Sequence, residues 1–385
     1  MKQRILLLGG SGSIGLQTIE LCSEFKDRFS IVGLTLNNRT DLLEAQLINL
    51  PDLKEVGIKD ERAAKVFSSK HPELEVSCGE DVNCRLVKKG NYDKAVNALV
   101  GSAGFLPSLE TLRAGKDLCL ANKESLVIGG KFLKEELSLG HGRLFAIDSE
   151  HVALAKLLKN ANRDEINNLI ITASGGSLRD IPVDKIKDVT LKDVLHHPTW
   201  QMGVRITVDS ATMVNKGYEF IEASYLYDWP IEEIKVLIND ESEVHSALEM
   251  KDNSYLFEVG PSDMRIPISY ALNEGRRVSA SYKSVDFDRQ CSLNFRHFDE
   301  TRYPLFSLVL DNFKKGGTAM AFLNAVDEVL INEFAKGKIT YSQMVDSIQK
   351  IVEKNNFFIQ DPRPEDIIRA DEEARKIAFN YLKTF

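Results

Sequence analysis

Four apolar residues at 5–8 run straight into Gly9-Gly10-Ser11-Gly12-Ser13-Ile14-Gly15, and no other junction constrains the fold as strongly. A short apolar run of that kind is a buried strand, and the helical spacing that follows, to about residue 25, requires a turn with almost no side-chain bulk. Gly10-x-Gly12-x-x-Gly15 between a strand and a helix is the context that makes a dinucleotide-binding turn credible. Gly12 lets the backbone approach a pyrophosphate, and the helix N-terminus stabilises its charge. Further apolar runs at 30–36, 94–100, 117–120 and 144–147 alternate with helical stretches, which predicts a parallel sheet covered by helices.

The second of these runs separates two cofactors. NAD sites end that strand in an acid for the ribose 2′-hydroxyl. This chain reads Thr35-Leu36-Asn37-Asn38-Arg39-Thr40, with no acid before Asp41. Amides and a guanidinium suit a 2′-phosphate, so NADP is favoured, the bland alternative being Arg39 as a solvated loop residue.

The chain divides into residues 1–149 as the dinucleotide-binding domain, 150–275 as a central domain, 276–303 as a linker and 304–385 as a helical bundle. Strands are expected at 168–172 and 234–238, and one helix at 211–226. Four helices are expected at 304–315, 318–335, 341–355 and 364–383, punctuated by Gly316-Gly317, Gly337 and Pro362/Pro364. The fold class is α/β: an N-terminal Rossmann-like parallel sheet, a central α/β catalytic domain with a flap, and a C-terminal helical bundle. A net charge of −8 without a basic stripe argues against nucleic acid. Five scattered cysteines, none in a C-x-x-C pair, fit reduced thiols in a cytosol. The run at 5–8 is too short for a signal-peptide core, and no membrane span is visible.

Two acidic runs carry the chemistry. In Val208-Asp209-Ser210-Ala211-Thr212-Met213-Val214-Asn215-Lys216-Gly217-Tyr218-Glu219, a helix opening near Ser210 places Asn215, Lys216 and Glu219 on one face. Such a surface suits a phosphate at one end and a metal at the other, although an ordinary polar helix face explains the run equally well. Ala146-Ile147-Asp148-Ser149-Glu150-His151 lies at a strand-to-helix junction, and Asp148, Glu150 and Glu219 form an all-oxygen set suited to Mg²⁺ or Mn²⁺. Taken alone, Asp148 and Ser149 read as helix caps. Ala121-Asn122-Lys123-Glu124-Ser125 ends a strand at the sheet's carboxyl edge, where Lys123 can polarise a substrate oxygen and Asn122 and Glu124 can meet the cofactor; a surface ion pair is the alternative. Thr172-Ala173-Ser174-Gly175-Gly176-Ser177 is a turn able to present donors to an anion, or a plain turn. His196-His197-Pro198-Thr199-Trp200-Gln201-Met202-Gly203 reads as a lid, or as a buried loop anchor. His245 reads as structural.

Taken in order, these runs resemble the 1-deoxy-D-xylulose 5-phosphate reductoisomerases. The matching stretches are 10–15, Leu-Ala-Asn-Lys-Glu-Ser-Leu-Val at 120–127, Asp-Ser-Glu-His at 148–151, Ser-Gly-Gly at 174–176, His-Pro-x-Trp-x-Met-Gly at 197–203, 209–217 with Glu219, and Pro261-Ser-Asp-Met-Arg-x-Pro267. The resemblance implies a metal held by Asp148, Glu150 and Glu219. It implies a hydroxyketone held by Lys123, Ser149 and that metal, and a phosphate held by Ser174, Ser210, Asn215 and Lys216 with His197 closing over it. Trp200 and Met202 match the flap. Gly10, Ser11, Gly12, Ser13, Ile14, Asn122, Glu124 and Gly203 match the NADPH side, with Asn37, Asn38 and Arg39 toward the 2′-phosphate. Many relatives carry Gly-Lys-Asn where this chain has Leu36-Asn37-Asn38, and 239–243 is more acidic than their pattern.

The activity so implied is NADPH- and divalent-metal-dependent rearrangement and reduction of 1-deoxy-D-xylulose 5-phosphate to 2-C-methyl-D-erythritol 4-phosphate, the rearrangement running through retro-aldol cleavage and re-addition. A homodimer is implied with it. The rival readings are a simple NADP-dependent dehydrogenase of a small aldehyde, which needs no three-carboxylate set, and a non-catalytic NADP-binding sensor, which expects a broken one.

Overall fold

The computed structural model describes residues 2–196, 203–279, 281–282, 284–285, 292–354 and 356–384. The chain forms two compact units. The first comprises Met1–Ser125, Lys131–Val152 and Asp263–Tyr282, the second Leu126–Gly130, Ala153–Ser262 and Lys283–Phe385.

The first unit alternates as expected: β1 (Gln3–Leu8), α1 (Ser13–Glu24), β2 (Phe29–Leu36), α2 (Thr40–Gln46), β3 (Glu55–Ile58), α3 (Glu61–Lys70), β4 (Glu75–Cys78), α4 (Val82–Lys89), β5 (Lys94–Asn97), α5 (Phe105–Arg113), β6 (Asp117–Leu120), α6 (Glu124–Ser138) and β7 (Leu144–Ala146). The strands pair in parallel in the order β4-β3-β2-β1-β5-β6-β7. Strand β1 shows why its run is continuously apolar: Ile5 and Leu7 enter one core and Leu6 and Leu8 the core on the opposite face. The order reverses between β1 and β5, the switch point where open sheets of this kind bind ligands.

Helix α7 (Ser149–Leu158) crosses the unit boundary without a break. The second unit continues with β8 (Ile166–Ala173), α8 (Leu191–Leu195), α9 (Val204–Thr212), α10 (Val214–Tyr227), β9 (Ile234–Asn239), β10 (Val244–Met250) and β11 (Tyr255–Val259). Helix α11 (Arg265–Leu272) returns to the first unit, where Ile268, Ala271 and Leu272 join the core beneath α1. The buried Lys94 amine secures this return by donating to the Leu272 carbonyl at 2.9 Å. Strand β12 (Phe295–Arg296) then completes a mixed sheet, β11-β10-β8-β9-β12, in which only β8 and β9 run parallel.

Four helices close the chain: α12 (Pro304–Lys315), α13 (Ala319–Ala335), α14 (Tyr341–Glu353) and α15 (Pro364–Leu382). Helix α13 is buried on nearly every face and packs against α12, α14, α15 and α9, so an apolar pattern around its whole circumference is required. Thr340 caps α14 through a capping box with Gln343, and Pro364 opens α15. No helix of the described residues is long and apolar enough to cross a membrane.

One expectation needs correction, and one element was not foreseen. The single helix at 211–226 is two helices, because Met213 adopts a left-handed conformation (φ 61°) between α9 and α10. Its side chain is buried in a core with Phe220 and Phe306, and that packing offsets the backbone cost of positive φ in a non-glycine residue. The hairpin of β10 and β11 had no counterpart in the sequence reading. It closes through Lys251-Asp252-Asn253-Ser254, where Asn253 takes positive φ and Asp252 accepts from the Ser254 amide.

Candidate active site

The turn after β1 uses its glycines for different reasons. Gly9 has φ 88°, and a Cβ there would lie 2.6 Å from the Ala98 carbonyl oxygen beyond β5. A Cβ on Gly15 would lie 2.4 Å from the Gly9 carbonyl oxygen, so Gly15 holds α1 against the turn. Gly12 is different: its nearest neighbour is 3.5 Å away, an ordinary contact, so protein packing does not demand glycine there. That space leaves the main chain at Gly12 open to close approach from outside. Gly12 starts α1 with no side-chain cap and no acid in the first turn, which leaves the helix start suited to an anion. Ser11, Ser13 and Ile14 line this turn at least partly exposed.

Asn37, Asn38 and Arg39 follow β2 and are exposed. Arg39 forms a bidentate pair with Asp41, at 2.9 and 2.7 Å, open to solvent. A pair of that kind is weak and can yield to a phosphate.

After β6 the chain carries Asn122, Lys123 and Glu124. Asn122 is 1% exposed, and its amide donates to the Leu99 and Gly101 carbonyls (3.0 and 2.9 Å) and to Glu124 (2.8 Å), while Glu124 accepts from the Gly101 amide. These two side chains thus fix the loop following β5. Lys123 points elsewhere: its ammonium lies 3.2 Å from Asp148 Oδ2.

Asp148 does two things. Oδ1 accepts the amides of Glu150 (3.0 Å) and His151 (3.3 Å), the capping role that its sequence position allows, while Oδ2 faces Lys123. Ser149 Oγ donates to the Glu150 carboxylate. The body of α7 is anchored in the second unit, where Leu154 shares a core with Phe220 and Ala223 of α10. One oxygen from each of the three carboxylates lies within 4.8 Å of the others. Three converging carboxylates without His or Cys are the donor set of a hard divalent cation.

On α10, Asn215, Lys216 and Glu219 share the expected face. Glu219 and Lys216 are 1% and 3% exposed. Asn215 donates to Glu219 Oε1 at 2.5 Å, and Lys216 donates to the other oxygen and to the Thr172 carbonyl at the end of β8 (2.6 Å). Beside them lies the turn Ser174-Gly175-Gly176, with Gly175 and Gly176 at φ 81° and 70°. A Cβ on Gly176 would sit 2.6 Å from the Ser210 carbonyl oxygen, so only glycine lets this turn abut the last turn of α9. Ser174, Ser210, Asn215 and Lys216 thus come from three neighbouring segments of the second unit. Sequence reading missed the supports of this turn: Arg179, whose guanidinium holds the Ser174 carbonyl at 2.8 Å, and Tyr303, whose hydroxyl donates to the Gly175 carbonyl at 2.9 Å. Tyr303 closes an unpatterned strap and carried no signal.

His197, Trp200 and Met202 lie outside the described residues; Gly203 is the N-terminal cap of α9. His245 bonds the Gly260 carbonyl at 3.1 Å, in keeping with its structural reading. Burial pushes the Cys22 and Cys119 thiols up to about 12, so these two stay protonated and unreactive.

Comparison with known proteins decides the family. Family models described as 1-deoxy-D-xylulose 5-phosphate reductoisomerase match residues 5–130, and models of its C-terminal domains match 144–227 and 259–377. The reductoisomerase of Halothermothrix orenii is 39% identical over 377 residues, 97% of each chain. The chain belongs to the 1-deoxy-D-xylulose 5-phosphate reductoisomerase family. Another reductoisomerase, from Caldanaerobacter subterraneus, is 38% identical over 384 residues, covering 99% of this chain and 100% of that protein. The reductoisomerase from Zymomonas mobilis, solved with NADPH, superposes with a TM-score of 0.90 at 30% identity and full coverage of both chains. A second solved reductoisomerase, in complex with NADPH, fosmidomycin and magnesium, gives a TM-score of 0.90 at 29% identity, covering 99% of this chain and 98% of that one.

Proposed function

We propose that the chain converts 1-deoxy-D-xylulose 5-phosphate to 2-C-methyl-D-erythritol 4-phosphate with NADPH and a divalent cation. The observation that carries this reading is the convergence of Asp148, Glu150 and Glu219, which neither a simple dehydrogenase nor a sensor requires. A divalent cation held by the three carboxylates supplies Lewis-acid polarisation of the substrate oxygens, and NADPH at the Gly12 turn supplies the reducing equivalents.

The chain's own residues do the rest. Lys123, set by Asp148, presents an ammonium toward a hydroxyketone oxygen, and Ser149 orients beside Glu150. Ser174, Ser210, Asn215 and Lys216 receive the phosphate, which lies remote from the changing bonds and supplies binding energy for positioning. Asn37, Asn38 and Arg39 receive the 2′-phosphate. The free thiols of Cys22, Cys78, Cys84 and Cys119 suit a cytosolic setting. Product identification tests the activity: with NADPH and Mg²⁺, the substrate should yield the branched tetritol phosphate, and an unbranched alcohol would favour the simple dehydrogenase.

We also propose a homodimer. Tyr255, Leu256 and Phe257 on edge strand β11 are 47%, 41% and 40% exposed, and Phe257 stacks on the equally exposed Phe295 with centroids 5.5 Å apart. The exposed stack of Tyr255, Phe257 and Phe295 calls for cover. Sedimentation should give twice the chain mass, with Phe257→Lys shifting it toward one; a wild-type protein at the mass of one chain contradicts the dimer.

A further inference from the structure

Gly175 and Gly176 have no side chains to hold their backbone, and glycine adopts positive and negative φ about equally, so the shape of the Ser174 turn is imposed from outside. Two donors impose it. Arg179 donates to the Ser174 carbonyl at 2.8 Å and the Tyr303 hydroxyl to the Gly175 carbonyl at 2.9 Å. A trans peptide carries its N–H opposite its C=O, so each of these bonds also aims an amide the other way. With the Gly175 carbonyl turned to Tyr303, the Gly176 amide meets Ser174 Oγ at 3.1 Å. The direction of the Ser174 hydroxyl is therefore coupled to the bonds behind the turn.

Arg179 is itself held. Its guanidinium lies 3.2 Å from Asp180 and 3.7 Å from Asp240, and Arg296 of β12 lies 2.7 Å from the same Asp180 and 2.6 Å from the same Asp240. Two guanidinium groups and two carboxylates thus alternate around a closed ring. Arg179 adds a bond to the Asp240 carbonyl just past β9, at 3.3 Å, and its stem lies against Gly175, where a Cβ would be 3.0 Å from Arg179 Cβ. The ring also gives the acidic stretch 239–243 a role. Strand β12 is two residues long, pairing Phe295 with Asn239 and Arg296 with Ile238, too short for its ladder alone to hold it. Asp240 clasps it through two bonds from Arg296, at 2.8 and 2.6 Å, and Glu241 accepts the Asn294 amide at 2.9 Å. An isolated exposed ion pair contributes little, but every member of this ring meets two opposite charges.

We propose that this ring positions the Ser174 turn for the substrate phosphate, with Arg179 as its point of contact and Arg296 as a positioning residue that meets neither phosphate nor cation. The proposal rests on the reading of Ser174 as a phosphate ligand. Its mechanism is a balance of charge. In the intact ring, Asp180 and Asp240 divide between two guanidinium groups, and Arg179 keeps an N–H for the Ser174 carbonyl. Without Arg296, both carboxylates turn to Arg179 alone. They draw it off that carbonyl, and the two glycines lose one of the bonds that choose their conformation.

Arg296→Gln should raise KM for 1-deoxy-D-xylulose 5-phosphate about fivefold with kcat and NADPH affinity little changed, and Arg296→Lys should stay within about twofold of wild type. The decisive variant is Arg296→Gln/Asp240→Asn. Removing the excess carboxylate should return KM to within about twofold of wild type, whereas a mere loss of the β12 clasp would leave the double variant no better than the single one. Hydrogen exchange of the ligand-free protein, read on a peptide spanning 173–178, needs no turnover. It should be faster in Arg296→Gln and close to wild type in the double variant. Unchanged exchange at the turn in Arg296→Gln, or a raised KM that the double variant does not lower, would overturn the proposal. Exchange that follows the expected order while KM stays constant across all variants would keep the ring's hold on the turn and overturn the phosphate reading of Ser174 instead.

Discussion

Glu219→Gln should lower kcat on the order of a thousandfold while leaving NADPH affinity at its wild-type value. The substitution keeps the shape of the side chain and an oxygen for the Asn215 amide, which now meets it at 2.5 Å. What it removes is one of three negative charges whose oxygens lie within 4.8 Å of one another. A hard cation bound by carboxylates depends on charge as well as on oxygen count, so both its affinity and its polarising effect on substrate should suffer. The Gly12 turn proposed for the pyrophosphate is a separate stretch of chain and uses none of these groups. Fluorescence titration of NADPH beside steady-state kinetics separates the two effects. A turnover number within about tenfold of wild type at saturating Mg²⁺ would remove Glu219 from the metal set.

Lys216→Met should do two things at once: raise KM for the phosphorylated substrate and destabilise the fold by about 3 kcal/mol or more. The second effect follows from burial. Lys216 is the internal counterion of Glu219, and both are almost fully enclosed, so removing the ammonium strands a buried carboxylate. Losing the bond to the Thr172 carbonyl adds to the cost, because that oxygen ends β8 just before the Ser174 turn. Two comparisons make the mechanism specific. The double variant Lys216→Met/Glu219→Gln should be less destabilised than Lys216→Met alone, since no charge is left unpaired. Added Mg²⁺ should also restore part of the lost stability to the single variant, because a bound cation compensates Glu219 and stabilises the folded state by mass action. Urea midpoints with and without Mg²⁺ check both. Equal midpoints for the single and double variants would show that the ion pair is not what Lys216 contributes.

The parts of this architecture that were legible in the sequence are those set by local pattern. The run at 5–8 had to be a strand covered on both faces, and it is. Asn215, Lys216 and Glu219 had to share a helix face because helical periodicity leaves them no alternative. Asp148 taken alone read as a cap, and one of its oxygens does accept backbone amides while the other faces Lys123. What escaped the sequence depends on tertiary packing. Met213 breaks a periodic helix through a left-handed backbone that no propensity announces, and only its buried contacts stabilise it. Asp327 lies on a helix whose apolar circumference disguises a buried acid. Tyr303 supports the Ser174 turn from a stretch with no periodicity at all.

The most direct test of the account follows NADPH absorbance after adding 1-deoxy-D-xylulose 5-phosphate to protein stripped of metal by a chelator, then restored with Mg²⁺ or Mn²⁺. The three-carboxylate site predicts no oxidation in the stripped protein and full activity on restoration, with one 2-C-methyl-D-erythritol 4-phosphate formed per NADPH consumed. Oxidation at the same rate with and without metal would contradict a reaction built on Asp148, Glu150 and Glu219.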